Sequence, residues 1–355
     1  MAAESGTSNV GTVVVKGVGT DAAATPGTGL MINEDTPKAK STATRAYIEQ
    51  QRSSSNPFQM LQMLPGVNTS QDDAYGLTGG SLTVRGFNSD QMGFTVQGVP
   101  VNDSGNFAVY PQEFLDMENM NEVFVTQGSV DPNAPHVGAS GGNIGMTMIE
   151  PSDKLGAHVE ATGGSDFLAR GFVRLNSGLL STGTKFYVSV SETHADKWRG
   201  DGDISRQHID FNLKQQVHDQ SNISASVQYN YAENYSYRAV TKSQWQTYGR
   251  YYDWDTTYDP NNPANYYRFR RNPFNNAIAQ ITGRLQITDN LRLSVQPYLW
   301  YGYGNGGGGS LFNEASPPNN DQGYGKEFTT GADLNGNGKT TDKIPFYTPS
   351  ITRTY

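Results

Sequence analysis

From residue 156 onward the chain keeps a period of two. Ile223, Ala225, Val227, Tyr229 and Tyr231 fall on one face of an extended segment, and Asn222, Ser224, Ser226, Gln228 and Asn230 on the other. Leu291, Leu293, Val295 and Leu299 alternate in the same way with Arg292, Ser294 and Gln296, and segments 157–161, 171–175, 186–190, 209–213 and 277–287 follow the rule. Successive side chains of a strand point to opposite faces, so this pattern specifies ribbons with one apolar and one polar side. About seven such segments of around ten residues are what a transmembrane barrel needs, one face to lipid and one to the lumen. Pro297 interrupts the last of them. Lacking an N–H, it is expected at a bulge or where pairing is slack.

The connections separate a barrel from a soluble sandwich. Links 179–183, 217–221 and 288–290 are short; alternating with them are 163–167, 194–205, 232–276 and 303–348, mostly long. Short turns at one end and long loops at the other are the porin-like arrangement. Composition agrees: 35% hydrophobic residues, 20 Tyr, 15 Phe and 40 Gly in 355 residues. No apolar run reaches the roughly 18 residues of a spanning helix. The net charge of −8 argues against nucleic acid, which requires a basic footprint. With no Cys, thiolate metal sites and disulfides are excluded. The start, Met-Ala-Ala-Glu-Ser-Gly, has neither a basic region nor an apolar core, so a barrel protein of this kind is expected to have lost its export signal.

Before residue 156 the texture is different. Residues 1–37 are small, polar and broken by Gly and Pro, which fits a mobile arm. Short helices are expected over 44–51 and 56–64. In the second, Asn56 is the N-cap, Pro57 takes the tolerated first position, and Phe58, Leu61 and Leu64 share a face. Strand-like runs at 82–84 and 94–97 each break at a glycine, Gly86 and Gly98. The stretch 138–142 fits G-x-S-x-G, but prolines precede it and a strand-like run follows, so a nucleophile elbow is not expected.

Five pieces in order carry a resemblance: Leu64-Pro-Gly-Val67, Val84-Arg-Gly86, Gln97-Gly-Val-Pro100, Glu122-Val-Phe-Val-Thr-Gln-Gly128 and Gly141-Gly-Asn-Ile-Gly145. In that order the chain resembles the TonB-dependent outer-membrane receptors. The resemblance implies an arm (1–37), an α+β plug (38–150) and the first part of an antiparallel transmembrane β-barrel (151–355). That is about seven or eight of some 22 strands, so a part of a longer receptor is expected. It also implies energised uptake without covalent chemistry, in the outer membrane of a Gram-negative bacterium, with the periplasmic TonB protein and outer-membrane lipid as partners. Thr12, Val13, Val14, Val15 and Lys16 resemble the TonB box, which pairs by strand addition. Arg85, Gly86, Gly98, Pro100, Gly141 and Gly142 match plug positions, with Arg85 expected in a plug–barrel salt bridge. Gln97 and Gln127 stand where the family carries charges.

Loop 232–276 supplies ligand-binding candidates, Trp245, Tyr251, Trp254, Arg268, Arg270 and Arg271. Aromatic faces and guanidinium forks suit an anionic ferric chelate such as a siderophore. A carbohydrate taken up by a receptor of the same family is the alternative, and a secreted carbohydrate-binding β protein a remoter one. Asp333, Asn335, Asn337 and Asp342 partly fit a calcium loop, although Ile344 stands where the bidentate Glu belongs.

Overall fold

The structure, a computed structural model, describes residues 30–32, 34, 37–103, 105–128, 130, 134–136, 138–218, 220–304, 309–313, 333, 336–347 and 351–354. The N-terminal domain begins with β1 (Lys40–Ala43), α1 (Arg45–Ile48) and α2 (Pro57–Leu61). Asn56 caps α2 as its composition dictates. Its side chain accepts from the Gln59 N–H while Gln59 returns a bond to the Asn56 N–H, and Pro57 fills the first turn. Phe58, Leu61 and Leu64 are buried. Both helices are shorter than the sequence suggests, four and five residues.

Two small sheets complete the domain. Strands β2 (Val67–Gln71), β3 (Gly80–Val84) and β4 (Phe87–Asn88) form one; β5 (Gly93–Val96), β6 (Val99–Pro100), β7 (Met120–Gln127) and β8 (Gly142–Met148) join β1 in the order β1-β7-β8-β5-β6. Arg85-Gly86 and Gln97-Gly98 are the two-residue tips of the β3–β4 and β5–β6 hairpins. All four have positive φ (49°, 87°, 52° and 85°), the turn whose twist matches paired strands. Gly142 is required for packing: a Cβ there would lie 1.9 Å from the Thr126 carbonyl oxygen.

The rest is one antiparallel wall. Strands β9 (Leu155–Gly163), β10 (Ala169–Ser177), β11 (Thr184–Asp196), β12 (Asp203–His218), β13 (Ser221–Tyr235) and β14 (Arg271–Thr288) pair consecutively, then β15 (Leu291–Val295) and β16 (Tyr298–Gly304) both pair with β14. A separate hairpin, β17 (Gly309–Asn313) and β18 (Lys343–Tyr347), precedes β19 (Ile351–Thr354), which returns to β16. Pro297 marks the break between β15 and β16, where its carbonyl accepts from the Ile281 N–H. The expected loop over 194–205 is only the turn 197–202, because β11 and β12 run on past the apolar band.

Burial in the wall is inverted relative to a soluble sheet. Val227 and Tyr229 are 46% and 42% exposed, whereas Gln228 and Asn230 are 4% and 1% exposed. The polar face is covered because the N-terminal domain packs against it. Tyr187, Ile278 and Trp300 of the wall join that domain's apolar core, and Trp300 meets Phe114 at 6.5 Å between rings. No helix among the described residues is long and apolar enough to cross a membrane, which leaves spanning by strands open.

Candidate functional site

A buried ionic seam holds the plug to the wall. Residues 116–119 form a tight turn entering β7, and they meet inward side chains of β10, β11 and β12. Arg206 donates to Asp116 (2.5 Å), to the Gln112 carbonyl (2.9 Å) and to the Phe114 carbonyl (2.8 Å). Arg170 forms a fork on Glu118 and lies 3.3 Å from Asp116. Arg174 donates to the Glu118 carbonyl (2.7 Å) and to Asn119, whose amide donates to Ser189 and to Asp210 (2.6 Å). Burial alone pushes the Asp116 carboxyl up, but Arg206, His208 and Arg170 outweigh it and hold the group well below the usual carboxylate range. Burial and then the Asp116 charge push Glu118 up, against the pull of Arg170. Asp116, His208 and Asp210 stand close enough to suggest a cation site. Two guanidinium groups already neutralise Asp116, which disfavours one.

The sequence places a plug–wall bridge at Arg85 and does not single out this seam. Arg85 is exposed at its hairpin tip and enters no ion pair among the described residues; its N–H donates to the Gly66 carbonyl. The bridges come from wall arginines reaching to the plug, and a further one joins Lys214 to Glu150 (2.5 Å). Gln127, neutral where the family has a charge, donates to the Pro65 carbonyl, and the Gln97 carbonyl accepts from Gln296 of the wall (2.6 Å). Gly138 to Gly142 lead directly into β8, with no helix following.

At the long-loop end the plug and two wall loops line an open cavity of about 500 Å³. Asp72 and Thr78 line it from the plug, Trp198 and Arg199 from the β11–β12 turn, and Tyr237, Arg238, Trp245 and Arg250 from the β13–β14 loop. Asp73 shapes the plug's contribution by accepting from the backbone N–H groups of Tyr75, Leu77 and Thr78. Trp198 donates from Nε1 to the Asp72 carbonyl (3.0 Å), joining plug to wall. Lys197 and Asp253, 0% and 1% exposed, pair at 2.9 Å and tie the two loops together. Burial pushes the Lys197 ammonium down, against Asp253. Arg199 donates to the carbonyls of Tyr252 and Arg238 and lies over Trp198 and Tyr237. Arg250 makes no hydrogen bond or ion pair among the described residues; its guanidinium rests 5.0 Å from the Tyr251 ring.

Of the six ligand candidates read from the sequence, Trp245 alone lines this cavity. Trp254 lies between Arg238 (4.8 Å) and Arg270 (4.0 Å) and donates to the Ser236 carbonyl, so it holds the loop's shape. Arg271 pairs with Glu233 at 2.6 Å, and Arg268 donates to Tyr267. Tyr251 is exposed beside Arg250. Arg199, Arg238 and Arg250 were missed, the first because it sits at a turn taken for an open loop. The alternation that runs through Ala195 and resumes at Ile204 could have located that turn.

The arm residues Thr12 to Lys16 and the candidate metal ligand Asn335 lie outside the described residues. Both Asp333 carboxylate oxygens accept backbone N–H groups, from Gly336, Asn337 and Gly338, and Asn337 donates to Asp342. The described part of this loop is a polar turn held by Asp333.

Residues 32–142 match the family described as TonB-dependent Receptor Plug Domain. Among solved structures, the chain is similar to the siderophore receptor PiuA from Acinetobacter baumannii (18% identity over 76% of this chain and 37% of that one, TM-score 0.55). It is also similar to the ferric-catecholate import receptor Fiu from E. coli K12 (15%, 90% and 42%, TM-score 0.58). A third is the ferripyoverdine receptor of the outer membrane of Pseudomonas aeruginosa, solved with ferripyoverdine (14%, 81% and 37%, TM-score 0.59). The chain therefore spans about 37–42% of the length of these receptors. No curated protein matches.

Proposed function

We propose, for a chain whose residues 32–142 are a TonB-dependent receptor plug and whose remainder has the fold of such a receptor's barrel wall, that it serves energised uptake across the outer membrane. The ligand is an anionic ferric chelate of the siderophore class, and the TonB protein engages Thr12 to Lys16. The cavity at the loop end carries the reading. It combines the guanidinium of Arg250, which forms no ion pair among the described residues, with the aromatic faces of Trp198, Tyr237 and Trp245, beside a plug that an ionic seam holds in the wall. Guanidinium groups bind carboxylate and anionic chelate oxygens with charge-assisted bonds, and aromatic faces stack on catecholate rings. A carbohydrate is the second reading, favoured by the two tryptophans lining the same cavity.

Tryptophan fluorescence of the complete receptor decides between them. The titrants are ferric citrate, a ferric tris-catecholate, a ferric pyoverdine and a maltooligosaccharide. One ferric chelate is expected to quench, and Arg250→Ala to weaken it by roughly 10- to 100-fold, the equivalent of about 1.5–3 kcal/mol for a charged bond. Quenching by the sugar alone, with Arg250→Ala silent, would overturn the siderophore reading.

A further inference from the structure

The loop-end cavity is divided by charge. Arg199, Arg238 and Arg250 line it from the wall loops, and Asp72 lines it from the plug, the sole carboxylate on that surface among the described residues. Its neighbour Asp73 is committed elsewhere. Both Asp73 oxygens accept from the turn that follows, through the N–H groups of Tyr75, Leu77 and Thr78 and the Thr78 hydroxyl. The Asp72 side chain makes no hydrogen bond or ion pair among the described residues, and it is exposed to the cavity.

The turn that carries Asp72 is fixed in place. The Asp72 carbonyl accepts from Trp198 Nε1, the Ala74 carbonyl accepts from Arg52, and the Tyr75 hydroxyl donates to the Ser165 carbonyl of the wall. The cavity's arginines do not bond to the Asp72 carboxylate. Arg199 donates to the carbonyls of Tyr252 and Arg238, Arg238 donates to Asn265 and lies over Tyr252 and Trp254, and Arg250 rests against Tyr251. Partial burial and then the Asp73 charge push the Asp72 carboxyl up, against the pull of Arg199. A raised carboxyl marks a negative charge that its own surroundings compensate poorly, and such a charge gains from a cation brought to it.

We propose that this cavity selects a ferric chelate carrying both signs of charge. The donor oxygens around the iron face Arg250 and the wall loops, and a protonated amine or guanidinium on the same molecule reaches Asp72 on the plug. This rests on the chelate reading above and deepens it. An all-anionic chelate such as ferric citrate meets a like charge at the plug, whereas an amine-bearing one forms a charge-assisted bond there. Specificity is a difference of affinities, and a repulsive group against the wrong ligand contributes to it as an attractive one does for the right ligand. Asp72 is both at once: it sets which chelate is preferred, while Arg250 supplies affinity for any of them.

Two ferric tris-catecholates test this, alike except that one carries a free primary amine and the other the same amine acetylated. Each is titrated into the complete receptor at neutral pH and followed by tryptophan fluorescence. The amine form should bind about tenfold more tightly, the size of one hydrogen bond to a charged group. Asp72→Asn should abolish that ratio by weakening the amine form and tightening the acetylated one, while Arg250→Ala should weaken both. The readout is a ratio of dissociation constants, so a fraction of misfolded receptor does not shift it. Equal affinity of the two forms for the unmodified receptor, or a ratio that survives Asp72→Asn, overturns selection by Asp72 and leaves the chelate reading standing. Binding of a maltooligosaccharide with neither catecholate nor ferric citrate bound overturns both.

Discussion

Arg206 reaches from the wall to three acceptors on the plug, and its own carboxylate partner is buried with it. Removing one member of a buried pair leaves the other uncompensated, at a cost of about 3–5 kcal/mol. Arg206→Ala should therefore loosen the plug, read as faster trypsin cleavage of the plug in the purified receptor; unchanged cleavage would show that the seam is not what holds it. The acid response has a definite sign. Because the folded Asp116 is depressed, its contribution is complete above the ordinary carboxylate value near ~4 and is lost only as pH falls through the depressed folded value. Glu118 is raised, so the cost of keeping it ionised is relieved as pH falls through its folded value. Acidifying from pH 7 to about 5 should leave the trypsin resistance of the plug intact; a loss in that window would show that the seam does not keep its charges there.

At the scale of the element, the β13–β14 loop supplies much of the lining of the loop-end cavity where the proposed ligand would sit. Its helix α3 (Lys242–Tyr248) starts with a Thr241 capping box, and Arg270, Trp254, Arg238 and Tyr252 stack behind it. Asp253 anchors the stack by accepting from the Arg238 and Trp254 N–H groups while pairing with Lys197. Asp253→Asn keeps the size and removes the charge, stranding a buried ammonium. Protease nicking within 236–270 should then speed up on intact cells, and ligand affinity should fall with it. Arg268→Ala, at a side chain wholly on the surface, should change neither. Equal nicking in both variants would mean that the loop is ordered by something other than the Asp253–Lys197 pair.

At the scale of the whole molecule, the proposed uptake would require that force on the arm reach the plug. Backbone pairing with TonB tolerates most side chains but not Pro, which has no N–H to give. Val14→Pro in the complete receptor is expected to abolish uptake of radio-iron while leaving surface binding intact; normal uptake would place the box elsewhere.

How much of this was legible depends on range along the chain. Alternation is local, so the strands and both their faces were readable at Ile223 to Tyr231, as were the Gly86 and Gly98 breaks and the Asn56-Pro57 helix start. The sequence did not single out Arg170 and Arg206 as the bridging residues, since their partners Asp116 and Glu118 lie 52 to 90 residues away. Aromatic density found one lining residue of the cavity, Trp245. Of the other candidates it gave, Trp254 and Arg270 stack on each other and Arg271 pairs with Glu233, while Arg199 comes to the cavity from another hairpin. Strand period and turn chemistry act between neighbours in the chain, and the sequence determines them alone. Ion pairs and cavities form between neighbours in space, and only the packing of plug against wall decides those.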